Sequence, residues 1–213
     1  MQYIINNHRK IWDREFIRMT LMGVGFAVFS LIVNYFAAIY ANERASFSIT
    51  DIILSNTRVY DVDYLIIVLS LFIYIFTAYW VFAHEPRKLP LILKSIALFI
   101  LIRSIFIAMT HLGPFATHVT FDVSARLLDI LGLGYGTDLF FSGHTGIPFL
   151  LALIFWDNKI LRYLYLGISL TLAASVLLGH LHYSIDVFAA FFITYSIFHM
   201  CQYFFHKDWV RAH

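Results

Sequence analysis

The chain has 213 residues, of which 61% are hydrophobic and only 13% charged, with a formal net charge of +2 and a mean hydropathy of +0.77. A soluble domain carries about 25% Asp, Glu, Lys and Arg, so half that density leaves too little polar surface to cover a body folded in water. The same composition excludes intrinsic disorder, coiled coil and collagen. A lone cysteine, Cys201, excludes an intrachain disulfide or a thiolate metal cluster, and the near-neutral charge implies no nucleic-acid partner.

A hydrocarbon core about 30 Å thick is crossed by roughly 20 apolar residues of helix. Six stretches of that kind follow one another, at about 20–41, 64–83, 91–110, 139–156, 163–180 and 183–205. Each is hydrophobic all round, without the period-two alternation of a membrane strand. The expectation is an all-α integral membrane protein, a six-transmembrane-helix bundle forming one domain over 1–213. The charged segment 1–19 precedes an apolar stretch longer than the 7–15 residues of a cleavable signal, so it is expected to stay as the first span. Lys and Arg number 4 before span one, 2 after span two, 2 after span four and 2 in the tail; the opposite side has Arg44, Arg58 and Arg126. Positive residues stay on the cytoplasmic side, which predicts cytoplasmic N and C termini and puts the long loops 42–63 and 111–138 on the extracytoplasmic side. No internal repeat or low-complexity linker interrupts the chain.

The polar residues near that outer side are specific. Span four opens with Asp138, Leu139, Phe140, Phe141, Ser142, Gly143, His144 and Thr145; spans five and six meet at His180, Leu181, His182, Tyr183, Ser184, Ile185, Asp186 and Val187. Span four runs inward and span five returns, so His144 and His182 are expected at one depth. If span six is already helical at His182, Asp186 at i+4 lies on the same face, within reach of an imidazole N–H. Such a carboxylate fixes the tautomer and makes the other ring nitrogen a nucleophile or base. Ser142, Gly143 and His144 at a helix start offer backbone N–H groups, a hydroxyl and the positive end of the dipole to an anion, for which phosphate is the natural guest. A protonated His144 beside it would hand a proton to a departing alkoxide.

Ser142-Gly143-His144 with His182 and Asp186 resembles the second and third signature motifs of the type 2 phosphatidic acid phosphatase superfamily. That resemblance implies a six-helix membrane fold and a phosphohistidine intermediate. Within it the string is more similar to the sphingomyelin synthase family, whose Asp four residues before Ser-Gly-His-Thr is matched by Asp138. Its His-x-His-Tyr-x-x-Asp-Val string is matched by His180 to Val187. Its Arg-x6-Thr element followed by Pro is echoed by Arg103, Thr110 and Pro114, and Asp51 echoes an Asp-centred element ahead of span two. The resemblance covers about 100–200. Two features depart from the phosphatases: no Lys-x6-Arg-Pro occurs, and their Ser-Arg pair ahead of the third motif is here Ser175 and Val176. Fewer phosphate-gripping arginines argue for a phosphodiester, with one charge fewer than a monoester.

The expected catalytic residues are therefore His144, His182 and Asp186. Ser142, Gly143, Asp138, Arg103, Tyr183 and His180 are the expected substrate-binding set. Arg103 reaches either the phosphate or a buried pair with Asp138 or Asp129. Asp138 orients a histidine, pairs with Arg103, meets a cationic head group or caps a helix. Tyr135, Phe140, Phe141 and Tyr183 form either an aromatic cage for choline or an ordinary interfacial belt. His180 is an interfacial histidine or a substrate contact. A zinc site from His144, His180, His182 and Asp186 has the stoichiometry but poor spacing, so no metal and no cofactor is expected. Gly132, Gly134 and Gly136 follow no strand and read as a loop rather than a nucleotide-binding turn. The implied function is a membrane lipid phosphotransferase with a phospholipid donor and a lipid acceptor such as ceramide. Water as acceptor would make it a lipid phosphatase or phospholipase C. The non-enzyme alternative is a lipid-binding or scramblase-like protein, against which two histidines and an aspartate together speak.

Overall fold

The computed structural model describes residues 12–117 and 139–213, and every regular element among them is helical. The first helix, α1 (Arg14–Arg44), starts where Asp13 accepts the Phe16 N–H at 2.7 Å. Its 31 residues extend about 46 Å by helix rise, so the charged ends reach past a bilayer core. A short α2 (Ile52–Asn56) follows in the first loop, capped by Asp51. Then comes α3 (Asp63–Ala83), which stops ahead of Pro86 because a residue before proline is driven out of the helical region. A 3-10 turn, Pro86–Lys88, leads directly into α4 (Leu89–Met109), where Pro90 is tolerated because the first helical N–H groups need no partner within the helix.

The remaining elements are α5 (Gly143–Ile154), α6 (Lys159–Leu178), α7 (Ser184–Phe204) and α8 (His206–Ala212). Among the described residues, five helical stretches are long and apolar enough to cross a membrane: α1, α3, the 3-10 turn with α4, α6 and α7. They match five of the six expected spans to within a few residues. The expected span at 139–156 differs, because only Gly143–Ile154 is helical, and 12 residues extend about 18 Å. Its start is fixed by Ser142, whose side chain caps it. Its end is fixed by a turn at Phe155, after which Asn158 accepts the N–H groups of Ile160 and Leu161 and opens α6.

This short helix is the centre of the bundle. α5 packs on α6 and α7 and also touches α4 and α3, while α1 lies along α4. No residue of α5 is exposed. Close approach is enforced at Gly146, where an added Cβ would stand 2.6 Å from the ring of Phe99 on α4 and 2.8 Å from Thr194 Oγ1 on α7. A side chain there would be overpacked against a fully buried ring. Two buried polar pairs join helices: Thr77 with the Tyr165 hydroxyl at 2.7 Å, and Ser104 with Asn34 at 3.3 Å. At the far end of α4, the Lys94 ammonium holds both carboxylate oxygens of Asp208 at 2.7 Å. Removing either partner alone would leave a buried unpaired charge, which costs far more than replacing both.

Candidate active site

The starts of α5 and α7 are bound to each other. The Ser142 N–H donates to the Asp186 carbonyl at 3.1 Å, so the two motif strings meet through backbone as well as side chains. Residues 139–142 are non-helical yet buried or nearly so, and backbone polar groups in such a place must be satisfied by protein. Arg103 Nε donates to the Phe141 carbonyl at 3.2 Å, and Thr110 Oγ1 lies 3.4 Å from that of Leu139. Phe141 is fully buried, edge-on to Phe99 and Phe106, and Phe140 stacks on Phe106.

His182 precedes α7 instead of lying within it, since Tyr183 is the N-cap and the helix begins at Ser184. The expected i+4 pairing on one helical face is corrected accordingly. Asp186 is the third helical residue, and in a capping box that residue reaches back to the chain ahead of the helix. Its Oδ2 accepts the Tyr183 N–H at 3.1 Å and stands 3.4 Å from His182 Nδ1. Asp186 is fully buried, and its Oδ1 has no hydrogen-bond partner among the described residues. The rings of His144 and His182 are 6.4 Å apart, centre to centre, inclined at 60°.

Both histidines line a cavity of about 30 Å³. Arg103 and Gly143 share its wall, and Arg103 Nε lies 3.7 Å from where a Cβ on Gly143 would be. The remaining described walls are Ser70, Ile73 and Tyr74 of α3, Ile147 and Pro148 of α5, and Leu172 of α6. Pro148 has no N–H to give the carbonyl of His144, one turn back. The α3 residues were missed by sequence reasoning. A serine and a tyrosine four apart inside an apolar span form one polar stripe, and that was the available signal.

His180 and Tyr183 stand outside this wall. α6 ends with the Leu181 N–H on the Val176 carbonyl at 2.9 Å and the His180 N–H on the Leu177 carbonyl at 3.1 Å. This double closure puts His180 in the left-handed position usually given to glycine, with φ +53°. Its Nδ1 pairs with the Thr117 hydroxyl and its ring meets the edge of Phe115. Burial lowers its pKa, opposed by the Thr57 carbonyl and the charge of Asp51. Tyr183 is 1% exposed; its hydroxyl donates to the Gly113 carbonyl at 2.8 Å and accepts from the Ile49 N–H at 3.2 Å. Burial raises its pKa. It joins two loops to α7 instead of facing the histidines.

Asp51 has a larger part than its faint sequence echo suggested. One oxygen accepts the N–H groups of Ile53 and Leu54, and the other takes the backbone N–H and hydroxyl of Ser184, each at 2.7 Å. Burial acts to raise its pKa, but these donors outweigh it and hold the carboxyl below its ordinary value. Asp138, Asp129, Tyr135, Arg126 and the glycines at 132, 134 and 136 lie outside the described residues.

A family model described as PAP2 superfamily C-terminal matches residues 136–203. No curated protein and no solved structure matches the chain. The matched stretch contains α5, α6 and all but the last residue of α7, with His144, His182 and Asp186, and the match supports a lipid phosphatase or phosphotransferase type of function. Among families, residues 136–203 speak for the type 2 phosphatidic acid phosphatase superfamily.

Proposed function

We propose that the chain is a lipid phosphotransferase, sphingomyelin-synthase-like, that moves a phospholipid head group through a phosphohistidine to a lipid hydroxyl. The observation that carries this reading is His182 held by the buried carboxylate of Asp186, with the His144 ring 6.4 Å away at the start of α5. With Nδ1–H turned to Asp186, the Nε2 lone pair of His182 attacks phosphorus. The bond from phosphorus to the diacylglycerol oxygen breaks, and that oxygen takes a proton from His144. In the second half His144 takes the proton of the acceptor hydroxyl, whose oxygen attacks phosphorus and frees His182. The buried Asp186, with one oxygen lacking a donor among the described residues, is suited to the positive charge that develops on His182. Gly143 and the positive end of α5 would face the phosphate oxygens, with Arg103 beside them.

Val176, where the phosphatases carry arginine, is fully buried on α6, and Arg103 is the one Lys or Arg of the described cavity wall. A single cation among the described wall residues suits a phosphodiester. The family match at 136–203 favours a second reading equally, in which water takes the phosphoryl group and the enzyme is a lipid phosphatase or phospholipase C. The excess of Lys and Arg at the ends away from the histidines supports an extracytoplasmic site with both termini cytoplasmic.

The test is incubation of purified protein with head-group-labelled phosphatidylcholine and phosphatidylethanolamine, with and without ceramide or diacylglycerol. The label is expected to move to the lipid acceptor, with release of free phosphocholine suppressed and both outcomes abolished in His182→Ala. Fastest turnover of phosphatidic acid without capture by any lipid acceptor would establish the hydrolase instead.

A further inference from the structure

At the end of the bundle away from the histidines, a groove of about 760 Å³ lies between α1, α4 and the junction of α7 with α8. Lys94, on its floor, is about 14 Å along α4 from Arg103 by helix rise. α1 contributes Glu15, Arg18, Met19, Met22 and Phe26, which share one helical face by their spacing. The opposite wall is Phe204, Phe205, His206, Lys207 and Asp208. The acids of this lining have basic neighbours within the protein. Asp208 is taken by Lys94, while Arg211 holds Asp13 at 2.6 Å and lies 3.5 Å from Glu15. Arg18 and Lys207 are exposed and have no carboxylate partner among the described residues.

The groove therefore combines two cations that have no carboxylate partner among the described residues with an apolar wall turned outward, on which Met22 is 56% and Phe204 59% exposed. Methionine adapts its shape to a chain laid against it. We propose that this groove is a binding site for a phospholipid with a net negative head group, separate from the catalytic site. Arg18 and Lys207 grip the head group, and the acyl chain lies along Met22, Phe26 and Phe204. A soluble anion would use the cations and leave the apolar wall bare. A zwitterionic lipid would bring its own cation to two that are already unpaired. An anionic lipid satisfies both halves, and by bridging α1 to α8 it would fasten the terminal helix to the bundle.

The full-length chain, purified in detergent, is titrated with phosphatidylglycerol or phosphatidylcholine of equal chain length, and retained lipid is counted by native mass spectrometry. Each cation near a membrane surface favours an anionic lipid by about 1 kcal/mol, so phosphatidylglycerol is expected to bind about thirtyfold more tightly. Arg18→Gln with Lys207→Gln should bring it to the level of phosphatidylcholine. Both side chains are exposed, so the melting temperature without added lipid should stay unchanged; a fall there is answered by repeating the titration with Lys207→Gln alone, for which about a fivefold loss is expected. Glycerol 3-phosphate and inorganic phosphate should leave the bound lipid in place. Equal retention of the two lipids, phosphatidylglycerol binding undiminished by the substitutions, or displacement by inorganic phosphate as a free-anion site would each overturn the proposal. None of these outcomes depends on turnover, so the result stands apart from the assignment of the histidines.

Discussion

A single carboxylate separates a catalytic reading of this protein from a structural one. Asp186 serves both as the partner of His182 and as the reciprocal half of the helix cap at Tyr183. If it served only as a cap, its loss would cost about 1 kcal/mol of stability and leave turnover nearly intact. If it holds the imidazole, Asp186→Asn preserves shape but removes the charge and favours the wrong tautomer, and turnover should fall by a factor on the order of 10⁴. Combined with His182→Ala it should do no further harm, because the two side chains act as a unit. Turnover in the two single variants and the double variant checks this, and additive losses would return Asp186 to the role of a cap. The four-residue spacing was readable in the sequence. The start of span six, read at Tyr183, lies within one residue of the helix; whether His182 is already helical stayed open, because the cap residue is a tyrosine and not Ser, Thr, Asp or Asn.

Helix ends, more than helix faces, assemble the site. α2, α5 and α7 begin against one another, and Asp51 holds two of these starts with one carboxylate. Its pKa is depressed in the folded state, so its contribution is fully present above the ordinary value of about 3.9 and is lost as the pH falls through the lower folded value. Asp51→Ala should lower stability by about 2 kcal/mol at neutral pH, as expected for charged hydrogen bonds. It should also flatten the acid-side fall in melting temperature below about pH 4, followed by thermal unfolding in detergent across that range. Five of the helices were legible because a run of some 20 apolar residues with charged flanks has few alternatives. α5 was drawn too long because hydropathy does not register a cap, and Phe140 and Phe141 are as apolar outside the helix as they would be within it. α2 and α8 are too short and too mixed in polarity to stand out. His180 was hard to place for another reason: its position is set by how α6 ends, and histidine occupies a backbone conformation where glycine is the usual sign.

At the scale of the molecule, orientation decides which leaflet supplies the substrate. Phe47 is 92% exposed in the loop at the histidine end, while Lys207 is exposed at the opposite end. With native Cys201, which is buried, as the internal control, a cysteine at Phe47 should react with a membrane-impermeant reagent applied to intact cells. One at Lys207 should react only after permeabilisation. The reverse pattern would place the chemistry on the cytoplasmic face. The shortness of α5 has a separate consequence for the kind of membrane in which this protein can work. Bilayers differ in thickness by several ångströms, and long helices respond by tilting or by deforming the lipid around them. α5 has no exposed residue, so lipid thickness exerts no direct force on it, and its height is set by contacts with α4, α6 and α7. The outer helices take up the mismatch. His182, at the junction of two exposed helices, is tied to the start of α5 by the hydrogen bond from Ser142 to the Asp186 carbonyl, so a change in bilayer thickness reaches the pair of histidines through that link and not through α5 itself.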